Sequence, residues 1–122
     1  MSMVRRISID ERAELLPEPP VAELTLTTVL AALADPVRLT LLRVIADAGD
    51  GPIDCGDCAA AAPDITRSES TISHHYKVLR DAGITRTHKQ GRHRIIEIRR
   101  GDVEARFPGL LDAVLAAPGP GA

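Results

Sequence analysis

The chain has 122 residues, of which 44% are hydrophobic, and its formal net charge is −2. This length suffices for one hydrophobic core and excludes a second domain of ordinary size. No apolar run reaches the roughly 18 residues of a membrane span, and the first residues lack an export signal, so we expect a cytoplasmic protein without a membrane partner.

The first third of the chain predicts an arm and two helices. Residues 1–21 end in closely spaced prolines, which interrupt any helix and indicate an N-terminal arm. From Glu23 the apolar residues recur with the 3.6-residue period of a helix that should end near Asp35. Asp35 followed by Pro36 is typical of a helix start with an Asp N-cap, and this second helix should run to Gly49.

Two further helices are predicted in the middle of the chain. The alanine-rich residues 55–62 predict a short third helix that Pro63 closes. A fourth helix should begin near Ser68 or Ser70 and end at Gly83. Its apolar residues are spaced at i, i+4 and i+7, which turns the polar side chains outward. These apolar residues are Ile72, Tyr76 and Leu79.

The last third changes from a helical to a strand pattern and back. Residues 84–98 alternate with the two-residue period of strands and predict a β-hairpin with a basic turn at 89–92. A final helical segment starts at Asp102 and is interrupted at 108–109, and residues 118–122 form a flexible tail. The fold class is mainly α with a small β-hairpin, and the element order predicts a winged helix-turn-helix domain over 22–117.

The basic residues are concentrated in one part of the chain. Residues 67–100 contain nine Lys or Arg and three acidic residues, a net charge of +6, whereas the remaining residues carry −8. A basic segment on an acidic body is expected where one face meets DNA phosphates, although a solvated charged surface is the alternative. The fourth helix has the width of the major groove of double-stranded DNA, and the hairpin would serve as a wing.

Candidate DNA contacts lie before the fourth helix, on its outward face and at the tip of the wing. They are Arg67, Ser68, Ser70, Thr71, Ser73, His74, His75, Lys77, Arg92, His93 and Arg94. His75 lies near the inward stripe and is equally compatible with a structural role. Tyr76 is expected in the core, with its hydroxyl at the rim where it can find a hydrogen-bond partner.

Cys55 and Cys58 form a C-x-x-C pair. The spacing is compatible with a redox pair, with half of a zinc site, or with two buried thiols in a reducing compartment. No further ligands lie nearby in sequence, so we expect no cofactor and no complete metal site. The chain also lacks a glycine-rich phosphate loop and paired carboxylates near its histidines, so we expect no enzymatic activity. A protein-interaction module without DNA binding is an alternative.

Two segments resemble the ArsR/SmtB family of winged-helix repressors. They are 33–39, with the sequence LADPVRL, and 70–84, with the sequence STISHHYKVLRDAGI, and the wing centred on Gly91 follows. The resemblance covers roughly residues 22–116. It implies a homodimer joined through the first and last helices, which binds an inverted-repeat operator and releases it when an effector binds. The dimer residues would be Leu26, Val29, Leu30, Phe107, Leu110, Leu111, Val114 and Leu115.

The metal sites of that family are not reproduced here. Its arsenic and cadmium sensors carry a C-x-C-D-L-type motif, and alignment on Asp57 puts Cys55 between the two ligand positions and Cys58 on the apolar position. Its zinc sensors use Asp and His on the last helix, which here contains no His. The effector therefore stays open. The alternatives are a thiol or metal switch at the two cysteines, or control by expression level or a protein partner.

Overall fold

The computed structural model describes residues 4–62 and 68–118. The helix-turn-helix formed by the third and fourth helices is followed by a β-hairpin, so the predicted winged helix-turn-helix fold is confirmed. No helix among the described residues is long and apolar enough to cross a membrane. The strands and α-helices are β1 (Glu14–Leu15), α1 (Leu26–Leu33), α2 (Pro36–Asp47), β2 (Ile53–Asp54), α3 (Cys55–Ala61), α4 (Glu69–Asp81), β3 (Thr85–Gln90), β4 (His93–Ile98), α5 (Arg100–Arg106) and α6 (Leu110–Ala116), and a 3-10 helix over Val21–Glu23 precedes α1.

The first helix begins later than its sequence pattern predicts. α1 starts at Leu26 rather than at Glu23, because the backbone of Leu24 and Thr25 is extended. Leu24 is buried against Gly83, at the end of α4. Gly83 has a φ of +84°, and a Cβ there would overlap the Leu24 side chain, so this junction requires glycine. The contact fixes the end of α4 against the chain that enters α1.

The start of α2 agrees with the prediction. The Asp35 Oδ1 atom accepts hydrogen bonds from the backbone N–H groups of Val37 (2.8 Å) and Arg38 (3.0 Å). Pro36 occupies the first helical position, where no backbone donor is needed. A capped helix start of this kind stabilises a helix by about 1 kcal/mol relative to an alanine cap.

The predicted hairpin forms the centre of a four-stranded antiparallel sheet with the strand order β1-β3-β4-β2. β3 and β4 stay paired as far as Gln90 and His93, so the turn contains only Gly91 and Arg92 and is shorter than predicted. Gly91 supplies the positive φ, +61°, that a two-residue hairpin turn favours. The two outer strands have two residues each, which is too short for a periodic sequence pattern, and the sequence did not predict them.

The segment that precedes α1 lies against this sheet. The Ile7 N–H donates to the Pro52 carbonyl oxygen (2.8 Å) beside β2, whereas β1 pairs with β3 at the opposite edge. The chain between residues 7 and 14 therefore passes from one edge of the sheet to the other. Ile96 belongs to the main core, and its neighbour Ile95 must point to the other face of the sheet, yet Ile95 is only 1% exposed. Both faces of the sheet are therefore covered at positions 95 and 96 of β4.

The main core lies between the helices and one face of the sheet, and it is aliphatic as expected. Burying each of its large side chains stabilises the fold by about 1.5–3 kcal/mol. The fully buried members include Val29, Leu41, Leu42, Ile45, Ile53, Leu79, Ile84, Ile96 and Val103.

Four charged side chains connect the N-terminal segment, the sheet and α5. Arg86 donates from Nε and Nη2 to the two carboxylate oxygens of Glu18, both at 2.8 Å. Arg99, whose side chain is almost fully buried, donates to Asp102 Oδ2 (3.0 Å) and lies 3.5 Å from Glu18. The hydrogen bond from Arg86 holds the pKa of Glu18 below its ordinary value. The cluster therefore compensates a buried guanidinium with two carboxylates.

Replacing Glu18 by Gln is expected to destabilise the fold. The variant leaves Arg99 with one carboxylate instead of two, so the free energy of unfolding at about pH 7 should fall by about 1–3 kcal/mol. Because the pKa of Glu18 is lowered in the folded protein, its stabilisation is present above the ordinary value of 4.5 and is lost as the pH falls below it. Urea denaturation of both proteins, above and below that value, measures the difference.

The matched control for this experiment is Glu11→Gln, because Glu11 is exposed. It should change the free energy of unfolding by less than about 0.5 kcal/mol. Equal losses in the two variants, or a Glu18→Gln deficit that persists unchanged in acid, would contradict the proposed role of the cluster.

Candidate nucleic-acid interface

α4 lies with one face in the core and the other in solvent. Ile72, Tyr76 and Leu79 are buried, as their spacing predicts. The Tyr76 hydroxyl donates a 2.7 Å hydrogen bond to the Cys55 carbonyl oxygen at the start of α3. Burial raises the pKa of Tyr76, so its hydroxyl stays protonated as a donor. This bond ties the two helices of the helix-turn-helix together.

Ser68 is the N-cap of α4, which agrees with one of the two predicted starts. Its Oγ accepts the N–H of Thr71 (3.3 Å) and lies 2.9 Å from the Thr71 hydroxyl and 3.2 Å from the Ser70 hydroxyl. Ser68 and Ser70 are exposed and Thr71 is half-buried. The three hydroxyls therefore form one small cluster at the exposed end of the helix. The fourth candidate here, Arg67, lies outside the described residues.

The next turn of α4 presents Ser73, His74 and Lys77 to solvent, as the spacing predicts. Lys77 Nζ donates to Asp81 Oδ2 at 2.6 Å, one helical turn further on. Both side chains of this pair are more than half exposed, and such pairs contribute little to stability, so the ammonium group can exchange Asp81 for another anion. This face is polar and continuous.

The structure corrects the placement of His75, which we included among the DNA contacts. Its side chain is 9% exposed, and its Nδ1 atom lies 3.2 Å from Arg38 Nη1 on α2. A helix turns by about 100° per residue, so position 75 falls on the same stripe as Ile72 and Leu79. The structural alternative therefore applies, and His75 is left out of the contact set.

Arg92, His93 and Arg94 are exposed at the tip of the wing. The His93 Nδ1 atom lies 2.9 Å from Asp54 Oδ2, and the other oxygen of Asp54 accepts the Asp57 N–H (3.0 Å) as the N-cap of α3. Burial opposes ionisation of Asp54, but the bonds from Asp57 and His93 hold its pKa below the ordinary value. One carboxylate therefore joins the wing tip to α3. The helix-start pattern could have suggested its capping role, whereas nothing in the sequence indicated its bond to the wing.

Of the eight basic residues described in 68–100, Lys77 binds Asp81 on the exposed face of α4, and the other seven divide into two groups. In the first group, each arginine is paired with acidic residues inside the fold, as when Arg100 binds Asp50 through Nε and Nη2 (both 2.9 Å). This group consists of Arg86, Arg99 and Arg100. The second group makes no ion pair or hydrogen bond to a side chain in 4–62 or 68–118, and it lies on α4 and the wing: Arg80, Lys89, Arg92 and Arg94. Part of the basic excess in the sequence therefore stabilises the fold, and only the rest remains available for a partner.

A groove of about 690 Å³ separates α4 from the wing, with α3 at its base. Its lining includes the buried side chains of Cys55, Ile72 and Tyr76. Arg80 and Arg94 also line it, one from α4 and the other from β4. Sequence reasoning missed Arg80, because its position on the helix is close to the buried stripe.

Cys55 and Cys58 are free and buried. Burial raises the pKa of Cys55 to about 12 and that of Cys58 to about 11. The Cys58 thiol donates to the Leu41 carbonyl oxygen (3.6 Å), so it packs against α2. Within 4–62 and 68–118 there is no group of three or more His, Cys, Asp or Glu that could hold a metal ion. The geometry favours the interpretation as two core thiols.

The apolar residues expected at a dimer interface are not equally accessible. Val29 and Leu111 are buried in the core of the chain itself and cannot contact a partner, which corrects that part of the prediction. Leu26 and Leu30 on α1 are 47% and 44% exposed. The others are half-buried on or next to α6: Phe107, Leu110, Val114 and Leu115.

The sequence is similar to two proteins that are named as HTH-type transcriptional regulators. It is 29% identical over 86 residues to the uncharacterized HTH-type transcriptional regulator YceK of Bacillus subtilis, over 70% of this chain and 82% of that protein. It is 30% identical over 63 residues to the uncharacterized HTH-type transcriptional regulator MJ1325 of Methanocaldococcus jannaschii, over 52% of this chain and 65% of that protein. No family model matches the sequence. The chain thus resembles HTH-type transcriptional regulators. Its ArsR/SmtB membership stays a prediction.

The two thiols are expected to react slowly in the folded protein. The thiolate is the reactive form, and a rise in pKa from 9.0 to about 11 leaves roughly a hundredfold less of it at about pH 8. Labelling with Ellman's reagent should be at least about tenfold slower in the native protein than in the same protein unfolded in urea. Equal rates in the two states would contradict the burial of these side chains and favour the thiol-switch alternative.

Proposed function

We propose that this chain is a sequence-specific DNA-binding transcriptional repressor of the ArsR/SmtB type, whose residues 22–117 form the DNA-binding and dimerisation domain. The observation that carries the proposal is the exposed polar face of α4 beside a wing tip whose two arginines, Arg92 and Arg94, have no carboxylate partners within the described part of the chain. The similarity to HTH-type transcriptional regulators supports it.

In this proposal, α4 enters the major groove and its exposed side chains meet base edges and phosphates. Ser70, Ser73 and His74 have the hydrogen-bonding groups for base edges, and Lys77 has the charge for a phosphate. Arg92 and Arg94 at the wing tip reach the neighbouring minor groove or its phosphates. Small hydroxyl side chains at the front of the helix allow the backbone to approach the DNA closely.

The proposed biological unit is a homodimer that uses the exposed leucines of α1 and the half-buried residues of α6. Exposed apolar side chains on two terminal helices of so small a domain are expected to be covered by a partner. A two-fold dimer presents two copies of α4, which matches an operator with two inverted half-sites. The proposal names no effector.

Affinity for DNA should fall when the exposed face of α4 is made acidic. We expect Ser73→Glu to weaken binding to a duplex from the upstream region of its own gene by at least about tenfold, because the new carboxylate repels phosphates. Ala105→Glu, on the exposed side of α5, adds the same charge outside the interface and should leave affinity unchanged. Fluorescence anisotropy across a salt series, with a scrambled duplex as reference, measures both.

For the wild type, the logarithm of affinity should fall steeply with the logarithm of salt concentration, and the upstream duplex should bind more tightly than the scrambled one. Absence of binding to any duplex at low salt would contradict the proposal. That result would favour a protein-interaction module of the same fold.

The dimer is tested by placing a charge among its apolar contacts. Leu30→Glu should convert the protein from dimer to monomer in sedimentation equilibrium and weaken operator binding at the same time. Leu15→Glu is the matched control, because Leu15 is similarly exposed (47%, against 44% for Leu30) but lies on β1, at an edge of the sheet beside β3. A Leu30→Glu protein that remains dimeric, or a Leu15→Glu protein that dissociates, would place the interface elsewhere.

A further inference from the structure

The groove between α4 and the wing lies between the two elements proposed to read DNA. If α4 occupies a major groove and the wing reaches the adjacent minor groove, one sugar-phosphate backbone separates those two grooves. That backbone must cross the space between the helix and the hairpin. The groove of about 690 Å³ is the space that the fold leaves there.

Arg80 and Arg94 approach this groove from opposite sides. Arg80 is half-buried on α4, and Arg94 is exposed on β4. Cys55 lines the same groove as both arginines; burial raises the pKa of its thiol, and the positive charges of Arg94 and Arg80 oppose that rise. Unlike the arginines of the internal clusters, neither pairs with a carboxylate in the described part of the chain.

The acidic residues of the groove do not cancel this charge. Asp54 is engaged by the N–H of Asp57 and by His93, and Glu69 lies in the first turn of α4. Four basic side chains (Lys77, Arg80, Arg92 and Arg94) and these two acidic ones line the groove, and Lys77 also binds Asp81, so the net charge is +1 when Asp81 is included and histidine is neutral. The groove is therefore complementary to an anion.

We propose that Arg80 and Arg94 together bind the phosphodiester backbone that passes between the recognition helix and the wing. This inference rests on the proposed function and adds a specific contact to it. Guanidinium groups form strong, charge-assisted hydrogen bonds to phosphate oxygens. Such a contact fixes the register of the protein on DNA and carries no direct sequence information. Arg80 thereby becomes a DNA contact from the C-terminal end of α4.

The test compares Arg80→Gln and Arg94→Gln with Arg43→Gln. Arg43 lies on α2, where it donates to the Ala117 carbonyl oxygen and does not line the groove. Anisotropy titrations are made over a salt series with the upstream duplex and the scrambled duplex. Thermal unfolding of each variant verifies that it is folded.

Each groove variant should bind both duplexes more weakly by a similar factor, of about tenfold at moderate salt, and its salt slope should be smaller by about 1. The double variant should lose about 2 from the slope, and Arg80→Lys, which keeps the charge, should retain the wild-type slope. Arg43→Gln should match the wild type throughout. Arg94 is exposed, so its variant tests the contact even if Arg80→Gln does not fold.

The outcomes separate this inference from the function on which it rests. A wild type that binds no duplex contradicts both. A wild type that binds with a steep salt slope, together with groove variants of unchanged slope, contradicts the backbone contact alone. Loss of affinity for the upstream duplex only, with binding to the scrambled duplex intact, would identify a base contact instead and overturn the inference.

Discussion

The hydrogen bond from the Tyr76 hydroxyl to the Cys55 carbonyl oxygen lies where α3, α4 and the base of the wing groove meet. Tyr76 is the only tyrosine of the chain, and its ring is held by the same core that buries Ile72 and Leu79. Rotating α4 about its axis would break this bond and move apolar side chains into water. This hydrogen bond and the core packing therefore fix the direction of the polar face of α4 in the protein without DNA.

The net charge of −2 does not show that the described arginines of 68–100 fall into two classes, those paired inside the fold and those left unpaired at its surface. Arg86, Arg99 and Arg100 are held by carboxylates from distant parts of the chain, and they join the N-terminal segment, the sheet and the last helices. Arg80 and Arg94, by contrast, have no carboxylate partner in the described part of the chain, and they line a groove with an excess of positive charge. Internal neutralisation of the first group leaves the second as the charge that a polyanion would meet.

The buried thiols and the exposed leucines bear on how such a regulator would be controlled and assembled. Both cysteines fill space beside α2 and α4, and their raised pKa values disfavour the thiolate that redox or metal chemistry needs. The apolar residues of α1 divide into Val29, which completes the core, and Leu26 and Leu30, which face outward. The same helix thus stabilises the core and carries exposed apolar side chains that the proposed homodimer would cover.

Local sequence signals determined the elements of this fold. The Asp35 cap before Pro36, the 72-76-79 stripe of α4 and the glycine of the hairpin turn each act within a few residues, so their patterns predicted a winged helix-turn-helix and the outward face of its recognition helix. Only the tertiary structure decided which side chains meet. β1 and β2 are too short for any periodicity, and Glu18 binds Arg86 across 68 positions of the chain. Whether His75 and Val29 face solvent or core, and whether Arg80 and Arg94 share one groove, depends on how separate elements pack, and no local pattern encodes that packing.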